Sequence, residues 1–371
     1  MRVIESASLA AGGGVGMLLG DLGADVIKVE SPDGGDVIRH FGQLAPGFSP
    51  AFLQLHRNKR SVTADLRTAS GRQFFAALIA SADVLIDGNR IGLLDRWGFS
   101  RDNLTQLNSR LVICEVNGFG STGPYSPIPV HGLMMNALIG SPPHPNSQPK
   151  PKPNAAGALS AATTATAYIA AALYHRETTG RGTTLDVSGA DALLQRDCLL
   201  ASYQLNADRL TDPAAVTALF DGYLGPRYRC YETLDGREIA FTAIESSSWQ
   251  RFCALTGHTE LFSETSENRV IRALSLLFRA HNVEYWTHLA TAHRLPIGPS
   301  YPQLIEAVAD PHLQQRNAIV YSEHPAAGSY ACIGATPLVD GRPFEIYRPA
   351  PALGEHNAEV RAELRLPESE T

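Results

Sequence analysis

The sequence has no closely spaced pair of cysteines. It contains five cysteines, Cys114, Cys198, Cys230, Cys253 and Cys332, and no Cys-x-x-Cys spacing. An odd, scattered set argues against a zinc site and against a disulfide framework, so we predict no metal. Free cysteines are typical of a reducing compartment, and we therefore expect a cytoplasmic protein.

The sequence also lacks the patterns of a secretory leader and of a membrane span. Its first residues, MRVIESASLAAGG, have no basic segment followed by a long apolar segment, so we expect no signal peptide. No apolar run approaches the ~20 residues that cross a bilayer. The net charge of −6 gives no global attraction to nucleic acid or to an anionic membrane. We expect neither as a partner.

Acidic side chains are absent from a long central stretch, between Glu115 and Glu177. That stretch contains His131, which follows a turn-rich entry of glycines and prolines and precedes an apolar run. It also contains residues 141–154, whose six prolines exclude a helix or a central strand. Acid–base chemistry located in this stretch must therefore use a group other than a local carboxylate.

Apolar strands alternate with helical segments through the first half of the chain. The predicted strands are 3–4, 25–30, 61–66, 83–87, 111–116 and 183–187. The predicted helices are 17–22, 70–81 with Ser70 as its cap, 91–97 and 161–175. This alternation predicts an α/β protein with a parallel, doubly wound sheet.

A chain of 371 residues is too long for one ordinary core, so we predict two domains. We place a large Rossmann-like domain at 1–190, a linker at 191–225, a small α+β domain at 226–318, and a returning C-terminal segment at 319–371. The small domain should contain a β-hairpin, because Asp235-Gly236 is a favoured turn between two strand-like runs.

Glycines cluster after the first predicted strand, at Gly12, Gly13, Gly14 and Gly16. We predict a glycine-rich turn before a helix, where free backbone N–H groups favour an anion. A dinucleotide fingerprint needs a third glycine where Met17 stands, although Glu30 occupies the place of a ribose-binding acid. A nicotinamide site and close packing of a helix on the sheet both remain open.

Basic residues concentrate ahead of the predicted strand 61–66. The densest stretch and its two flanking arginines are His56, Arg57, Lys59, Arg60, Arg39 and Arg67. A basic run is usually a solvated surface. Because this one leads directly into a strand, the charges would collect at one end of a sheet, and we predict a phosphate-binding rim.

Ordered motifs along the whole chain resemble those of one protein family. They are LGADVIKVE, NKRSVTADLRT, ADVLID followed by DRWGF, NGFGSTGPY, HRETTGRG, DGREIAF, ADPHLQQR and PAPALGEH. In order and spacing they are similar to CoA-transferase family III, the CaiB/BaiF group, which includes formyl-CoA transferase, carnitine CoA-transferase and α-methylacyl-CoA racemase. The segments TGPYSPIPVHG and PRYRCYETLDGREIAFTAIE are most similar to the racemases.

The resemblance implies a fold, a ligand and a set of contacts. The fold would be a Rossmann-like large domain and a small α+β domain, with two chains interlocked as a homodimer. The substrate would be a coenzyme A thioester, with no tightly bound cofactor. The implied CoA contacts are Ala11, Gly12, Arg39, Arg67 and Arg96, and the implied active-site loop contains Gly222 and Gly225.

Three positions depart from the family pattern. The catalytic aspartate of the family falls on Ala158, counted back from the turn at 179–182. Ala10 stands where transferases often have glutamine, and Gly88-Asn89 replaces an Asn-Phe pair. Because an alanine methyl cannot attack a thioester, conventional CoA transfer would need another residue in place of the aspartate.

His131 and Glu245 match the racemase positions of a base and its carboxylate partner. A histidine titrates near neutrality and a nearby carboxylate makes it more basic, so this pair could remove an α-proton beside a thioester. We predict a one-base enzyme acting at the α-carbon of an acyl-CoA or a carrier-bound thioester, ending in isomerisation, elimination or carbon–carbon bond chemistry. The alternatives are a CoA-transferase or racemase with a substitute for the aspartate, and a non-catalytic acyl-CoA-binding or scaffold protein.

Overall fold

The computed structural model describes residues 1–140, 155–214, 216 and 225–367. The chain forms two compact units, Met1–Cys198 with Gln314–Thr371, and Leu199–Leu313. The first unit ends at Cys198, near the predicted end of the large domain at 190. It resumes at Gln314, near the predicted end of the small domain at 318. The proline-rich stretch 141–154 and Gly222 lie outside the described residues.

Six parallel strands form the centre of the first unit, in the order β3-β2-β1-β4-β5-β6. They are β1 (Arg2–Ala7), β2 (Asp25–Glu30), β3 (Lys59–Thr63), β4 (Val84–Gly88), β5 (Val112–Asn117) and β6 (Thr184–Ser188). The connections change direction between β1 and β4, so a crevice opens beyond the carboxyl ends of these two strands. The predicted doubly wound sheet is confirmed.

Helices cover both faces of this sheet. They are α1 (Ala10–Asp21), α2 (Pro50–His56), α3 (Ala69–Ala80), α4 (Leu93–Arg96), α5 (Arg101–Leu107), α6 (Gly132–Leu138), α7 (Ala156–Thr179) and α8 (Gly189–Arg196), with a short 3-10 helix at Val37–His40. Helix α9 (Cys198–Leu205) starts at the last residue before the second unit and otherwise belongs to that unit. Side chains of α1 and α7 pack together on one face. Those of α3 and α5 pack on the other. The cap of α3 is Thr68, whose hydroxyl accepts from Gly71 N, rather than the predicted Ser70.

The glycine cluster lies inside α1 and not in a turn before it, because the helix already begins at Ala10. A Cβ on Gly12 would lie 2.3 Å from the Cβ of Ala7, and one on Gly14 would lie 2.9 Å from the Cβ of Ala162. Both distances are far below van der Waals contact. The predicted glycine-rich turn is therefore wrong, and the glycines allow α1 to approach the sheet and α7 closely.

Helix α7 is long and apolar enough to meet the length and composition criteria of a membrane-spanning helix, and a third of its most apolar window is buried. One such helix is weak evidence for a span. Its Ala161, Ala165 and Ile169 are fully buried in the core beside α1 and the sheet. We therefore assign α7 to the core of the first unit. It ends at Gly180, as the sequence predicts, in a left-handed conformation that glycine adopts freely.

The second unit contains a three-stranded antiparallel sheet in the order β7-β8-β9. Its strands are β7 (Arg229–Glu232), β8 (Glu238–Phe241) and β9 (Ile297–Ser300), and its helices include α10 (Ser246–Thr256), α11 (Glu267–Phe278), α12 (Val283–His293) and α13 (Leu304–Ala307). The predicted hairpin joins β7 to β8, with Gly236 at a φ of 72°. A core rich in aromatic side chains fills the space between the sheet and helices.

Helix α14 (Pro311–Gln315) leads the chain back to the first unit. In the first unit the chain then forms two antiparallel strands, β10 (Ile319–His324) and β11 (Gly328–Ile333). Helix α15 (Asn357–Glu363) follows them. The Asn357 side chain accepts from Thr63 N at 2.8 Å, and the Tyr347 hydroxyl donates to Gly20 O at 2.9 Å. The C-terminal segment thus packs on the large unit.

Candidate functional site

A cavity of about 290 Å³ opens at the carboxyl end of the sheet, beside the change of direction between β1 and β4. Its lining includes Ser6, Ser8, Asp36, Arg67, Asn89 and Trp97. Open α/β sheets bind ligands at this location, because the loops after the strands converge there. The cavity is therefore the candidate binding site of the first unit.

Two of the arginines implied by the resemblance are exposed, and one of them, Arg67, lines this cavity. The Arg67 guanidinium forms ion pairs with Asp65 at 2.8 Å and with Asp33 at 2.6 Å, and its side chain is 64% exposed. Pairs this exposed are weak, because water screens them, and can be exchanged for a ligand phosphate. Arg96 is also exposed and directly precedes the half-buried Trp97, which lines the cavity.

Arg39 does not offer a free guanidinium. It is 2% exposed, donates to both carboxylate oxygens of Glu30 at 2.9 and 2.7 Å, and lies 3.8 Å from the centroid of the Phe52 ring. A third bond runs to Pro351 O at 3.1 Å. In this structure Arg39 is a structural residue. Glu30 is likewise held by Arg39, which leaves no ribose-binding acid for the nicotinamide alternative.

The predicted phosphate-binding rim is wrong for the residues of the basic stretch itself. His56, Arg57, Lys59 and Arg60 are all 0–3% exposed. Arg57 pairs with Asp21 at 2.7 Å, and Arg60 pairs with Asp25 at 2.6 Å. These charges face inward because acidic residues elsewhere in the chain neutralise them, which sequence order does not reveal.

A buried ionic cluster lies beneath α1, between the first three strands. Its members are Glu5, Lys28, Glu30, Asp36, Arg39, His56 and Lys59. Glu5 accepts from Lys28 at 2.9 Å and from Lys59 at 2.5 Å. Lys28 also pairs with Asp36 at 2.9 Å. A Cβ on Gly16 would lie 1.9 Å from Glu5 Oε2, so the glycine in α1 leaves room for this carboxylate.

Burial and neighbouring charges shift the pKa values within the buried ionic cluster. Burial alone would lower the pKa of Lys28, but Glu5 and Asp36 outweigh it and raise that pKa. Burial, together with the charge of Lys28, lowers the pKa of Lys59 to about 8 despite the attraction of Glu5. Burial also lowers the pKa of His56 well below its ordinary value, so its ring is neutral and Nδ1 can accept from Lys59 Nζ at 3.0 Å.

Asn89 joins two strand ends at the cavity. Its Nδ2 donates to Ser6 O and to Asp87 Oδ1, at 2.9 and 2.8 Å. Burial raises the pKa of Asp87 to about 6, although the bonds from Asn89 oppose this shift. Gly88, where the family pattern has asparagine, packs tightly, because a Cβ there would lie 2.7 Å from the Cβ of Ala7.

The implied catalytic residues of the first unit lie at the starts of helices. His131 is exposed and directly precedes α6, without capping it through its side chain. Ala158 lies in the first turn of α7 and is partly buried. Its neighbour Gly157 packs against Met135, since a Cβ on that glycine would lie 2.5 Å from the Met135 sulfur. Ala10 and Ala11 form the partly buried first turn of α1.

The implied residues of the second unit lie in loops. Glu245 is exposed and directly precedes α10. Gly225 is buried with a φ of 83°, a conformation that favours glycine. The partnership of Glu245 with His131, and the roles of the implied CoA contacts, stay predictions. Within the described ranges, no group of three or more His, Cys, Asp or Glu side chains could hold a metal ion.

The sequence reasoning missed Lys28, Asp36, Asp87 and Trp97. One signal could have found Lys28: it interrupts the apolar strand β2, and parallel strands are buried on both faces. A charge in such a strand must have a partner, and Glu5 in β1 is the matching interruption. Asp36 and Trp97 stand in segments without such a pattern, and only the fold brings them to the cavity.

Comparisons with known proteins were consistent along nearly the whole chain. The sequence model of the family described as CoA-transferase family III matches residues 1–357. The succinyl-CoA–L-malate CoA-transferase β subunit of Chloroflexus aurantiacus is 30% identical, over 98% of this chain and 93% of that protein. The formyl-CoA:oxalate CoA-transferase of Streptomyces avermitilis is 29% identical, over 97% and 93%. A solved CaiB/BaiF family protein from Brucella suis is 27% identical with a TM-score of 0.76, over 98% of both chains.

We predict that Asp87→Asn stabilises the protein more at pH 7.5 than at pH 4. The raised pKa of Asp87, about 6, means that the folded state binds more protons than the unfolded chain between pH ~4 and ~6. Stability therefore falls as the pH rises through this window, and the loss is complete above it. Asparagine keeps an oxygen for the Asn89 bonds and carries no charge. The free energy of unfolding at pH 7.5 should therefore rise by about 2 kcal/mol.

Urea unfolding at the two pH values measures this difference. Asp208→Asn, at an exposed position, controls for the change in formal charge. An effect of Asp87→Asn that is equal at pH 4 and pH 7.5 would contradict the prediction.

Proposed function

Because the chain belongs to CoA-transferase family III, we propose that it binds coenzyme A thioesters and acts at the α-carbon of the acyl group. What supports this proposal is the alanine at position 158, in the first turn of α7, where the resemblance places the catalytic aspartate of the family. Without that carboxylate the chain has no nucleophile there for conventional CoA transfer. A base remains in His131.

We place part of the CoA molecule at the cavity beside β1 and β4. Its volume of about 290 Å³ is at the lower end of the range for small-molecule sites, so it would hold one portion of so long a ligand. Arg67 lines it, and the exposed Arg96 directly precedes the lining residue Trp97, so both could contribute charge-assisted bonds to phosphate oxygens. The backbone of Ala11 and Gly12, at the start of α1, would lie near the same phosphates.

The proposed reaction begins with proton transfer. The neutral imidazole of His131 takes the α-proton of the acyl group, and the electron pair of the broken C–H bond moves to the thioester oxygen. Glu245 would stabilise the resulting imidazolium. The enolate is then protonated again or loses a β-substituent, which gives isomerisation or elimination. Aldol or Claisen-type carbon–carbon bond formation would require a second, carbonyl-bearing substrate.

A CoA-transferase is the second candidate function. The relatives from Chloroflexus aurantiacus and Streptomyces avermitilis carry that activity in their names, and each matches more than nine-tenths of its own length. In this case another side chain would replace the aspartate. A non-catalytic acyl-CoA-binding protein is the outcome that remains if neither proton exchange nor CoA transfer can be measured.

We further propose that the protein forms the interlocked homodimer implied by its family. Helix α9 supports a partner, because none of its residues is buried, and Leu199 and Leu205 are 77% and 81% exposed. Exposed apolar groups of this kind mark surfaces that another protein covers. Sedimentation equilibrium measures the mass directly, and a monomer at micromolar concentration would contradict the dimer. A cytoplasmic location without nucleic-acid or membrane partners stays a prediction.

Arg67→Ala should weaken CoA binding about 10-fold, because one charge-assisted bond to phosphate is lost. Isothermal titration with CoA measures the dissociation constant. Arg110→Ala is the matched control, since Arg110 is also an exposed arginine that pairs with an acid, Glu177. Equal affinities of the wild type and Arg67→Ala would remove Arg67 from the site.

His131→Ala should abolish α-proton exchange. The wild type, incubated with 2-methylacyl-CoA in deuterated water, should incorporate deuterium at the α-carbon, and the variant should do so about 10²–10⁴-fold more slowly. Mass spectrometry of the recovered thioester gives the rate. The exchange rate of Glu245→Gln should lie between those of the wild type and His131→Ala, because glutamine has nearly the size of glutamate but no charge. Exchange by His131→Ala at the wild-type rate would contradict the assignment of the base.

Ala158→Asp should create CoA-transferase activity in a protein that otherwise lacks it. A carboxylate in the first turn of α7 is favoured by the free N–H groups there and can attack a thioester. The assay follows the transfer of CoA from succinyl-CoA to oxalate or malate. Leu159→Asp, at the exposed neighbouring position, controls for an added charge. Substantial transfer by the wild type would instead favour the second candidate function.

A further inference from the structure

The turn between β1 and α1 has a backbone conformation that its residue does not favour. Leu9 directly precedes α1 with φ 65° and ψ −159°. Residues other than glycine rarely adopt this region, because the side chain collides with the backbone there. Such a conformation persists only where surrounding contacts impose it. The contacts around Leu9 are therefore informative.

The Asp36 carboxylate holds the backbone of Leu9 in this conformation. The Leu9 N–H donates to both oxygens of the Asp36 carboxylate, at 3.2 and 3.3 Å. Asp36 is 2% exposed and also accepts from Ile38 N at 3.0 Å. A buried carboxylate with these bonds stays charged: although burial raises its pKa, Lys28 and the N–H groups outweigh that effect and lower it.

Lys28 holds the other end of the same turn. Its Nζ donates to Ala7 O at 2.7 Å and pairs with Asp36 at 2.9 Å and with Glu5 at 2.9 Å. All three ammonium hydrogens are therefore used. Lys28 and Asp36 together fix Ala7 and Leu9, the residues on either side of Ser8.

This turn forms part of the cavity wall, since Ala7, Ser8 and Asp36 all line it. We propose that Asp36, held by Lys28, is a positioning residue for ligand binding: it keeps the turn at residues 7–9 in the strained conformation that shapes the cavity and directs the start of α1. The inference rests on the proposed binding of CoA at this cavity. It assigns to Asp36 no contact with the ligand itself.

The chain offers a matched control at the opposite end of α1. Asp21 is also buried and ion-paired, with its side chain 3% exposed against Arg57. It accepts from the side chains of Arg57 and Asn58 and does not bond to the turn at residues 7–9. Asp36→Asn and Asp21→Asn thus remove similar buried charges, and only the first removes support from the cavity wall.

Two measurements on the full chain test the role of Asp36. Hydrogen exchange of the peptide covering residues 7–12 should become about 10-fold faster in Asp36→Asn and stay unchanged in Asp21→Asn. Only the first substitution removes the charge that pairs with Lys28 and one of the two oxygens that accept from the Leu9 amide. Titration with CoA should show about 10-fold weaker binding for Asp36→Asn alone, with both variants destabilised toward urea.

Leu9→Gly provides the rescue, since glycine adopts this conformation without support. In the Asp36→Asn background it should restore most of the CoA affinity and leave the stability loss of the buried cluster in place.

Unchanged exchange at residues 7–12 in Asp36→Asn would overturn the inference, and so would faster exchange with unchanged CoA affinity. Failure of the wild type to bind CoA contradicts the proposed function instead, and exchange then still decides whether Asp36 holds the turn.

Discussion

Glu5 carries a charge at the centre of the large unit, fully out of water, and much of the surrounding structure follows from neutralising it. Its carboxylate bonds to Lys28 in β2 and to Lys59 in β3, and so ties the first three strands together. Breaking one partner of such a buried set costs about 3–5 kcal/mol, whereas the intact set contributes little net stability. What the cluster provides is a fixed arrangement of the strand ends.

That arrangement reaches the binding cavity through a short series of contacts. Lys28 bonds onward to Asp36, and Asp36 bonds to the Leu9 amide at the start of α1. Gly16 is part of the same arrangement, because any larger residue would collide with Glu5. The glycines of α1 thus allow the helix to lie close to the buried charges. The same charges hold residues of the cavity wall in place.

The proposed chemistry depends on the side chain at position 158. The resemblance implies a catalytic aspartate at position 158, where this chain has alanine in the first turn of α7 and where a carboxylate would be favoured. The proposed chemistry uses what is left, a histidine at the start of another helix. Under this proposal, binding and reaction are assigned to different elements, so the loss of one chemistry would leave the proposed CoA contacts in place.

Several features were predictable from sequence because they are local. The alternation of strands and helices determined the doubly wound sheet, the Asp235-Gly236 turn determined the hairpin, and Gly180 determined the end of α7. The absence of carboxylates between Glu115 and Glu177 is likewise a property of the sequence alone. Tertiary structure decided which charged side chains are exposed to solvent. Arg67 pairs with Asp33 at the surface, whereas Arg39 and Lys59 pair with Glu30 and Glu5 out of water. The sequence does not distinguish these pairs, because the packing of the whole unit decides whether a pair is solvated.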